Sequence, residues 1–121
     1  MEFINSAHEL ELMTIRLVHR ENVIPKRYRL TLGSKLIESV RKINQYVTYA
    51  NGIYPKKDAE LVERNKLQVN ALLEIRNLLE LMRLTSELFP IKGTVLEEWT
   101  RLALKEEHAI KCWKQSDKKR N

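Results

Sequence analysis

The feature that most constrains this chain is the helical spacing of its apolar residues between very few helix breakers. Only three glycines and three prolines occur among the 121 residues. Between them, apolar residues recur every three or four positions, which is the spacing of one face of an α-helix. The sequence therefore predicts an all-α protein of long amphipathic helices, at a length typical of one domain.

The first helix is predicted over residues 6–22. Ser6 followed by Glu9 is a capping-box pattern, in which a side chain at each end of the first turn satisfies free backbone groups. Pro25 disfavours a helical residue before it and so ends this helix. Residues 23–33 are then either a linker or an early start of the second helix.

Three further helices follow. The second is predicted over 34–51 and the third over 58–89, with Asp58 as its N-cap. Thr94 and Glu97 form another capping-box pattern, which opens the fourth helix. Four amphipathic helices with short connections predict an antiparallel up-down four-helix bundle.

We expect the bundle to occupy residues 1–115, followed by a basic solvated tail at 116–121. Within the third helix, nine of the fourteen residues in the range 71–84 are apolar and spread around most of its circumference. A helix that is apolar nearly all round needs burial on several sides, which one four-helix monomer does not easily provide. This pattern predicts self-association.

Basic residues concentrate in two zones of a chain whose net charge is +6. The first zone, residues 25–57, holds eight basic residues and a single acid, Glu38. The second zone consists of Lys111, Lys114, Lys118, Lys119 and Arg120. Such zones favour a polyanionic partner, nucleic acid before membrane, although a merely solubilising surface explains them equally well.

A helical wheel of the second helix places Lys35, Lys42, Tyr46 and Tyr49 together, opposite the apolar stripe. Lysines neutralise phosphates and tyrosines stack on bases, so this face is the best candidate docking surface for nucleic acid or protein. The alternative is a solvated face whose tyrosines cover neighbouring side chains. The candidate binding residues are Lys26, Arg27, Arg29, Lys35, Arg41, Lys42, Tyr46, Tyr49, Lys111 and Lys114.

Glu106 falls within the apolar stripe of the fourth helix, where an ionised carboxylate needs a partner. Arg76 and Arg83, one heptad apart on the third helix, are the candidates. We predict a buried or interface ion pair that fixes register, in preference to a catalytic acid.

Catalytic and metal-binding patterns are missing from the sequence. None of the three histidines follows a glutamate by three positions, as di-metal bundles require. His108 and Cys112 stand four apart, but two ligands do not make a structural zinc site. Gly33-Ser34-Lys35 lacks the upstream glycine of a phosphate loop. We expect no enzyme, cofactor or metal, with a small metalloenzyme as a remaining hypothesis.

A single cysteine, Cys112, cannot form an intramolecular disulfide, and the N-terminus lacks the pattern of a signal peptide. No apolar run approaches the roughly 20 residues that span a bilayer. These observations favour a soluble cytoplasmic protein without a membrane partner.

Two stretches of the chain resemble a known family. Residues 24–36, Ile-Pro-Lys-Arg-Tyr-Arg-Leu-Thr-Leu-Gly-Ser-Lys-Leu, look like the entry to helix two in the accessory variability determinant of diversity-generating retroelements. Residues 71–88, with Leu-Leu-Glu-Leu-Met-Arg-Leu at 78–84, resemble that family's long third helix, and Trp113-Lys114 resembles its helix-four ending.

The resemblance implies a four-helix bundle that assembles as a ring-shaped homopentamer. It also implies binding to the element's reverse transcriptase and, through basic surface, to RNA or DNA, in support of mutagenic copying of a template RNA into cDNA. The matching basic positions are Lys26, Arg27, Arg29 and Lys35.

A sister group, the four-helix proteins encoded in intervening sequences of ribosomal RNA genes, is the alternative. Its usual Asn-Ile-Ala-Glu-Gly phrase near the end of helix two is replaced here by Tyr-Ala-Asn-Gly at 49–52. This alternative implies a structural or interaction oligomer of unknown role.

Overall fold

The computed structural model describes residues 1–119, and these residues form four α-helices. In chain order the helices are α1 (Glu2–Val18), α2 (Ser34–Asn51), α3 (Asp58–Leu88) and α4 (Gly93–Lys118). Each helix packs on two neighbours, in the cyclic order α1, α2, α3, α4. Over the described range the prediction of an all-α protein with four helices is confirmed, and α2 and α4 lie at opposite corners.

Contacts between α1 and α4 show how antiparallel neighbours share the core. The indole nitrogen of Trp99 donates a hydrogen bond of 2.9 Å to the Thr14 hydroxyl. Near the other end of the same helix pair, the rings of Phe3 and Trp113 stack with their centroids 3.8 Å apart. The first contact therefore ties the end of α1 to the start of α4, and the second ties the start of α1 to the end of α4.

The core consists of the apolar stripes that helical spacing predicts. Helices α1 and α2 supply Leu10, Leu17, Leu36 and Ile43, and α3 and α4 supply Ile75, Leu78, Met82, Trp99 and Ile110. Their burial is the main contribution to the stability of such a bundle. Within residues 1–119, none of the helices combines the length and apolarity that crossing a bilayer requires.

Two predicted capping boxes were wrong. Helix α1 begins at Glu2, and Ser6 lies inside the helix, fully buried, with its hydroxyl donating to the Glu2 carboxylate at 3.3 Å. The stacked Phe3 secures the turn before Ser6, so the helix extends further than local sequence indicates. Helix α4 likewise begins at Gly93, one residue before Thr94.

The first helix ends earlier than predicted, and residues 19–33 form the connector between α1 and α2. Helix α1 stops at Val18 because the chain turns to bury Val23 and Ile24. A 3₁₀ turn and a π-helical turn then lead directly into α2, so the early start of the second helix is the better description. At Gly33 an added Cβ would meet Val18 Cγ1 at 2.8 Å, so glycine permits this close approach.

The bounds of α3 agree closely with the prediction. Its first residue is Asp58, and the N-cap is Lys57, one position earlier than expected. The Glu60 carboxylate accepts the backbone N–H groups of Lys56 and Lys57 at 3.0 Å each. The helix ends at Leu88, before Pro90, as the sequence indicates.

The C-terminal end of α4 differs from the solvated tail predicted for residues 116–121. The helix continues to Lys118, and Asp117 is buried. The Asp117 carboxylate accepts a hydrogen bond from Gln68 at 2.9 Å and lies 3.0 Å from Arg64. These contacts to α3 hold the last turn on the bundle; residues 120 and 121 lie outside the described part of the chain.

Candidate nucleic-acid interface

The connector uses one of its predicted binding residues for structure. The Arg29 guanidinium donates to the backbone carbonyl of His19 at 3.0 Å and lies 3.4 Å from the Glu21 carboxylate. It thereby ties the connector to the C-terminal end of α1, where a cation is favourable. Arg29 is therefore mainly a structural residue.

Two other cations of the connector face solvent. Lys26 and Arg27 are exposed on the 3₁₀ turn, and neither takes part in the ion pairs formed within residues 1–119. The Arg27 guanidinium lies 5.1 Å from the ring centroid of Tyr28, and that ring packs edge-on against Phe89 at 5.0 Å. Arg27 is thus positioned by an anchored ring and keeps its charge available.

On α2 the predicted lysines share one carboxylate. Glu38 lies 3.8 Å from Lys35 and 3.2 Å from Lys42, and Glu74 of α3 lies 4.0 Å from Lys42. The hydrogen bond from Lys42, reinforced by the charges of both lysines, lowers the pKa of Glu38, and the same bond raises the pKa of Lys42. This part of the basic face is partly neutralised.

The tyrosines of α2 have separate roles. Tyr46 is half-buried and packs against the core. Tyr49 is 59% exposed and shares a shallow groove with Arg41, Glu11 and Asn44, between α1 and α2. Arg41 is exposed and takes no part in the ion pairs described for residues 1–119. A cation and an exposed ring therefore line the same groove.

The structure separates the two basic zones. Lys111 and Lys114 lie on α4, at the corner opposite α2, and Lys111 is 3.8 Å from Glu107. These two lysines therefore lie apart from the basic face of α2. We call the remaining set the connector–α2 surface, which comprises Lys26, Arg27, Lys35, Arg41, Lys42 and Tyr49.

The ion pair predicted for Glu106 was wrong. Glu106 is fully buried, and among the described residues neither of its carboxylate oxygens has a hydrogen-bond partner. Arg76 instead pairs with Glu107 at 2.6 Å, and Arg83 pairs with acids of its own helix. Burial, with a smaller effect of the Glu2 charge and a weak opposing effect of Lys105, raises the pKa of Glu106 to about 9.

Metal-ligating side chains do not converge in residues 1–119. The Cys112 sulfur lies 3.5 Å from His108 Nε2 on the exposed side of α4. No group of three or more histidine, cysteine, aspartate or glutamate residues suited to a metal ion occurs in this range. The pair lacks the further ligands that a zinc site uses.

Two further cations, at and near the connector, are not among the binding residues predicted from the sequence. Arg16, in the last turn of α1, and Arg20, two residues beyond the end of that helix, are exposed, and neither enters an ion pair of the described chain. Their spacing of four residues, which places both on one side of a helix, was the available signal. They add positive charge to the end of the bundle that carries Lys26 and Arg27.

Comparison of the chain with family models, curated proteins and solved structures gives no match.

Proposed function

We propose that this protein is a non-catalytic binding subunit that holds nucleic acid on the connector–α2 surface. The main support is the exposure of Lys26, Arg27 and Arg41 without carboxylate partners among residues 1–119. Unpaired cations bind phosphates by releasing the counterions of the nucleic acid. Tyr49, exposed in the groove that Arg41 also lines, offers a ring on which a base stacks.

The resemblance of residues 24–36 and 71–88 adds the proposed biological setting. The chain acts there as an accessory subunit of the reverse transcriptase of a diversity-generating retroelement. Its contribution is positional, because it holds the RNA template or its cDNA copy close to the polymerase. Linking two binding events in this way raises the effective concentration of one partner near the other.

The test is a binding titration with fluorescently labelled single-stranded RNA and with DNA of the same sequence, followed by fluorescence anisotropy at low salt. The triple variant K26E/R27E/R41E reverses three charges of the connector–α2 surface. We expect its affinity to fall by about tenfold or more, since three phosphate contacts become repulsive.

A matched control separates this site from net charge. The variant K111E/K114E/K118E makes the same change of charge at the opposite corner, on α4. We expect its affinity to stay within about twofold of the unmodified protein, because distant exposed charges are screened. Equal losses in both variants would contradict the assignment to the connector–α2 surface.

A structural oligomer, as in the ribosomal-RNA-intervening-sequence group, is the second candidate. The observation that favours it is the exposed apolar side chains of α3, among them Leu73, Leu84 and Leu88. This role predicts no binding of RNA or DNA and no effect of reversing the charges of Lys35 and Lys42 on any interaction.

A further inference from the structure

A cleft of about 400 Å³ opens at the end of the bundle where α1 begins and where α2 and α4 end. All four helices and the loop between α2 and α3 line it, and its volume falls within the range of sites for small molecules. Its polar and aromatic lining includes Asn51 of α2, Tyr54 and Lys56 of the loop, and Trp113 and Asp117 of α4. The connector lies at the opposite end of the bundle, because it joins the end of α1 to the start of α2.

Tyr54 is held in place although it contributes little to the core. Its side chain belongs to a residue that is 76% exposed, yet the backbone is fastened on both sides of it. On one side, Arg64 Nη1 donates to the backbone carbonyl of Ile53 at 3.1 Å. On the other side, the Glu60 carboxylate accepts the backbone N–H of Lys56 at 3.0 Å. A ring positioned in advance loses less conformational entropy when a ligand stacks on it.

A stack of side chains forms another wall of the cleft. The rings of Phe3 and Trp113 are nearly parallel, with their centroids 3.8 Å apart. The Arg64 guanidinium carbon lies 4.8 Å from the centroid of Trp113, on the face that Phe3 leaves open. Because both faces of Trp113 are covered, a planar ligand in the cleft stacks on Tyr54 and meets only the edge of Trp113.

Polar groups of the cleft have hydrogen-bonding capacity left. Asp117 Oδ2 accepts from Gln68 at 2.9 Å and lies 3.0 Å from Arg64 Nε, whereas Oδ1 makes no hydrogen bond among residues 1–119. The side-chain amide of Asn51 is likewise without a partner in the described range. Lys56 is exposed and takes no part in the ion pairs of these residues. An acceptor, an amide and a cation are therefore available in one cleft.

We propose that this cleft binds a nucleoside monophosphate, either free or as the terminal nucleotide of a strand. The base stacks on Tyr54, and the polar atoms at its edge bond to Asn51 and Asp117. The phosphate pairs with Lys56. Tyr54 and Lys56 are two residues apart, so at most roughly 7 Å separates their Cα atoms, which suits the base and the phosphate of one nucleotide.

This site does not depend on the connector–α2 surface. Lys26 and Arg27 lie at the other end of the bundle, so the K26E/R27E/R41E variant should bind the nucleotide as the unmodified protein does. A failure of the nucleic-acid proposal therefore leaves the nucleotide site unaffected.

The test is fluorine NMR of protein labelled with fluorotryptophan and titrated with GMP to millimolar concentration. The chain contains two tryptophans, so two resonances are expected. Trp113 lines the cleft, whereas Trp99 is fully buried and donates to Thr14 in the core. We expect GMP to shift the resonance of Trp113 and to leave that of Trp99 in place. Ribose phosphate, which lacks the base, should shift neither.

Variants assign the shift to the cleft. Tyr54→Ala should weaken GMP binding about fivefold or more because stacking is lost, and Tyr54→Phe should retain it because the ring remains. Lys56→Glu should weaken binding about threefold or more at low salt. The matched control is Lys92→Glu, the same change of charge at the start of α4, which should bind as the unmodified protein does. No shift of Trp113 with GMP, or equal affinity in Tyr54→Ala, would overturn the proposal.

A strand that begins with a phosphorylated guanosine separates the two sources of the ligand. If this strand shifts the Trp113 resonance and competes with GMP, the ligand is the end of a nucleic acid. If GMP alone shifts it, the ligand is a free nucleotide. Either result supports the cleft as a nucleotide site.

Discussion

Glu106 of α4 is fully buried, and neither of its carboxylate oxygens has a hydrogen-bond partner among residues 1–119. Its position within the apolar stripe of α4 shows that it must be buried, and helical spacing makes Arg76 or Arg83 the natural partner. In the structure Arg76 forms an ion pair with Glu107, the residue next to Glu106. Glu106 itself has no ion-pair partner in the described core. Instead of pairing, the Glu106 side chain is kept neutral by its proton, with a pKa of about 9.

Neutralisation of Glu106 makes stability depend on pH. Its carboxyl has the usual pKa of 4.5 when the chain is unfolded, and about 9 when folded. Between these values the folded state keeps a proton that the unfolded state releases. The stabilising effect is full below about pH 4.5 and is lost progressively as the pH rises to about 9.

Glu106→Gln removes this linkage, since glutamine is uncharged at every pH. We expect the melting temperature of the variant to rise relative to that of the unmodified protein as pH increases from 5 to 9. The corresponding difference in unfolding free energy changes by as much as about 1.4 kcal/mol per pH unit. Thermal unfolding by circular dichroism measures it. The control is E97Q, an exposed carboxylate on the same helix; a constant difference for E106Q across the range would contradict a buried neutral Glu106.

At the scale of the element, α2 carries most of the candidate interface, and an acid of the same helix reduces the positive charge of that surface. Glu38 lies between Lys35 and Lys42 and offsets charge that phosphates would otherwise meet. All three side chains are exposed, so these ion pairs contribute little to stability. Glu38 therefore affects binding more than folding.

Glu38→Gln should increase affinity for nucleic acid. It removes one negative charge from the connector–α2 surface and releases both lysines, so we expect binding tighter by about threefold to tenfold at low salt. The measurement is the anisotropy titration described for the triple variant.

The matched control is Glu98→Gln. Glu98 is also exposed and pairs with Arg101 on its own helix, but it lies on α4, at the opposite corner. Both variants change the net charge equally. An equal gain in affinity for the two would show that the location of Glu38 is irrelevant.

The helices illustrate what sequence alone predicts. The apolar stripes of α2 and α4 and the long span of α3 follow from spacing and from proline positions, because these are local properties. The start of α1 and the connector do not, because stacking of Phe3 on Trp113 and burial of Ile24 are contacts between distant segments.

The candidate site was predictable to a lesser degree. Exposed cations can be read from a helical wheel, as at Arg41. Whether a cation is neutralised depends on acids of other helices, as for Lys42 beside Glu74 and Arg76 beside Glu107. Such pairs depend on the relative placement of helices, which no local pattern contains.

At the scale of the whole molecule, the order of the four helices decides how the charge is used. The basic zones of α2 and α4 lie at opposite corners, so a single strand lying flat on the bundle contacts one of them at a time. The proposed nucleic-acid interface is therefore confined to one corner of the bundle.

The most direct test of the central claim is the salt dependence of nucleic-acid binding by the unmodified protein. If Lys26, Arg27 and Arg41 each contact a phosphate of a single strand, the logarithm of the association constant should fall with the logarithm of salt concentration at a slope of about −2 or steeper. The K26E/R27E/R41E variant should lose most of that slope. Binding of equal strength at low and high salt would contradict the account.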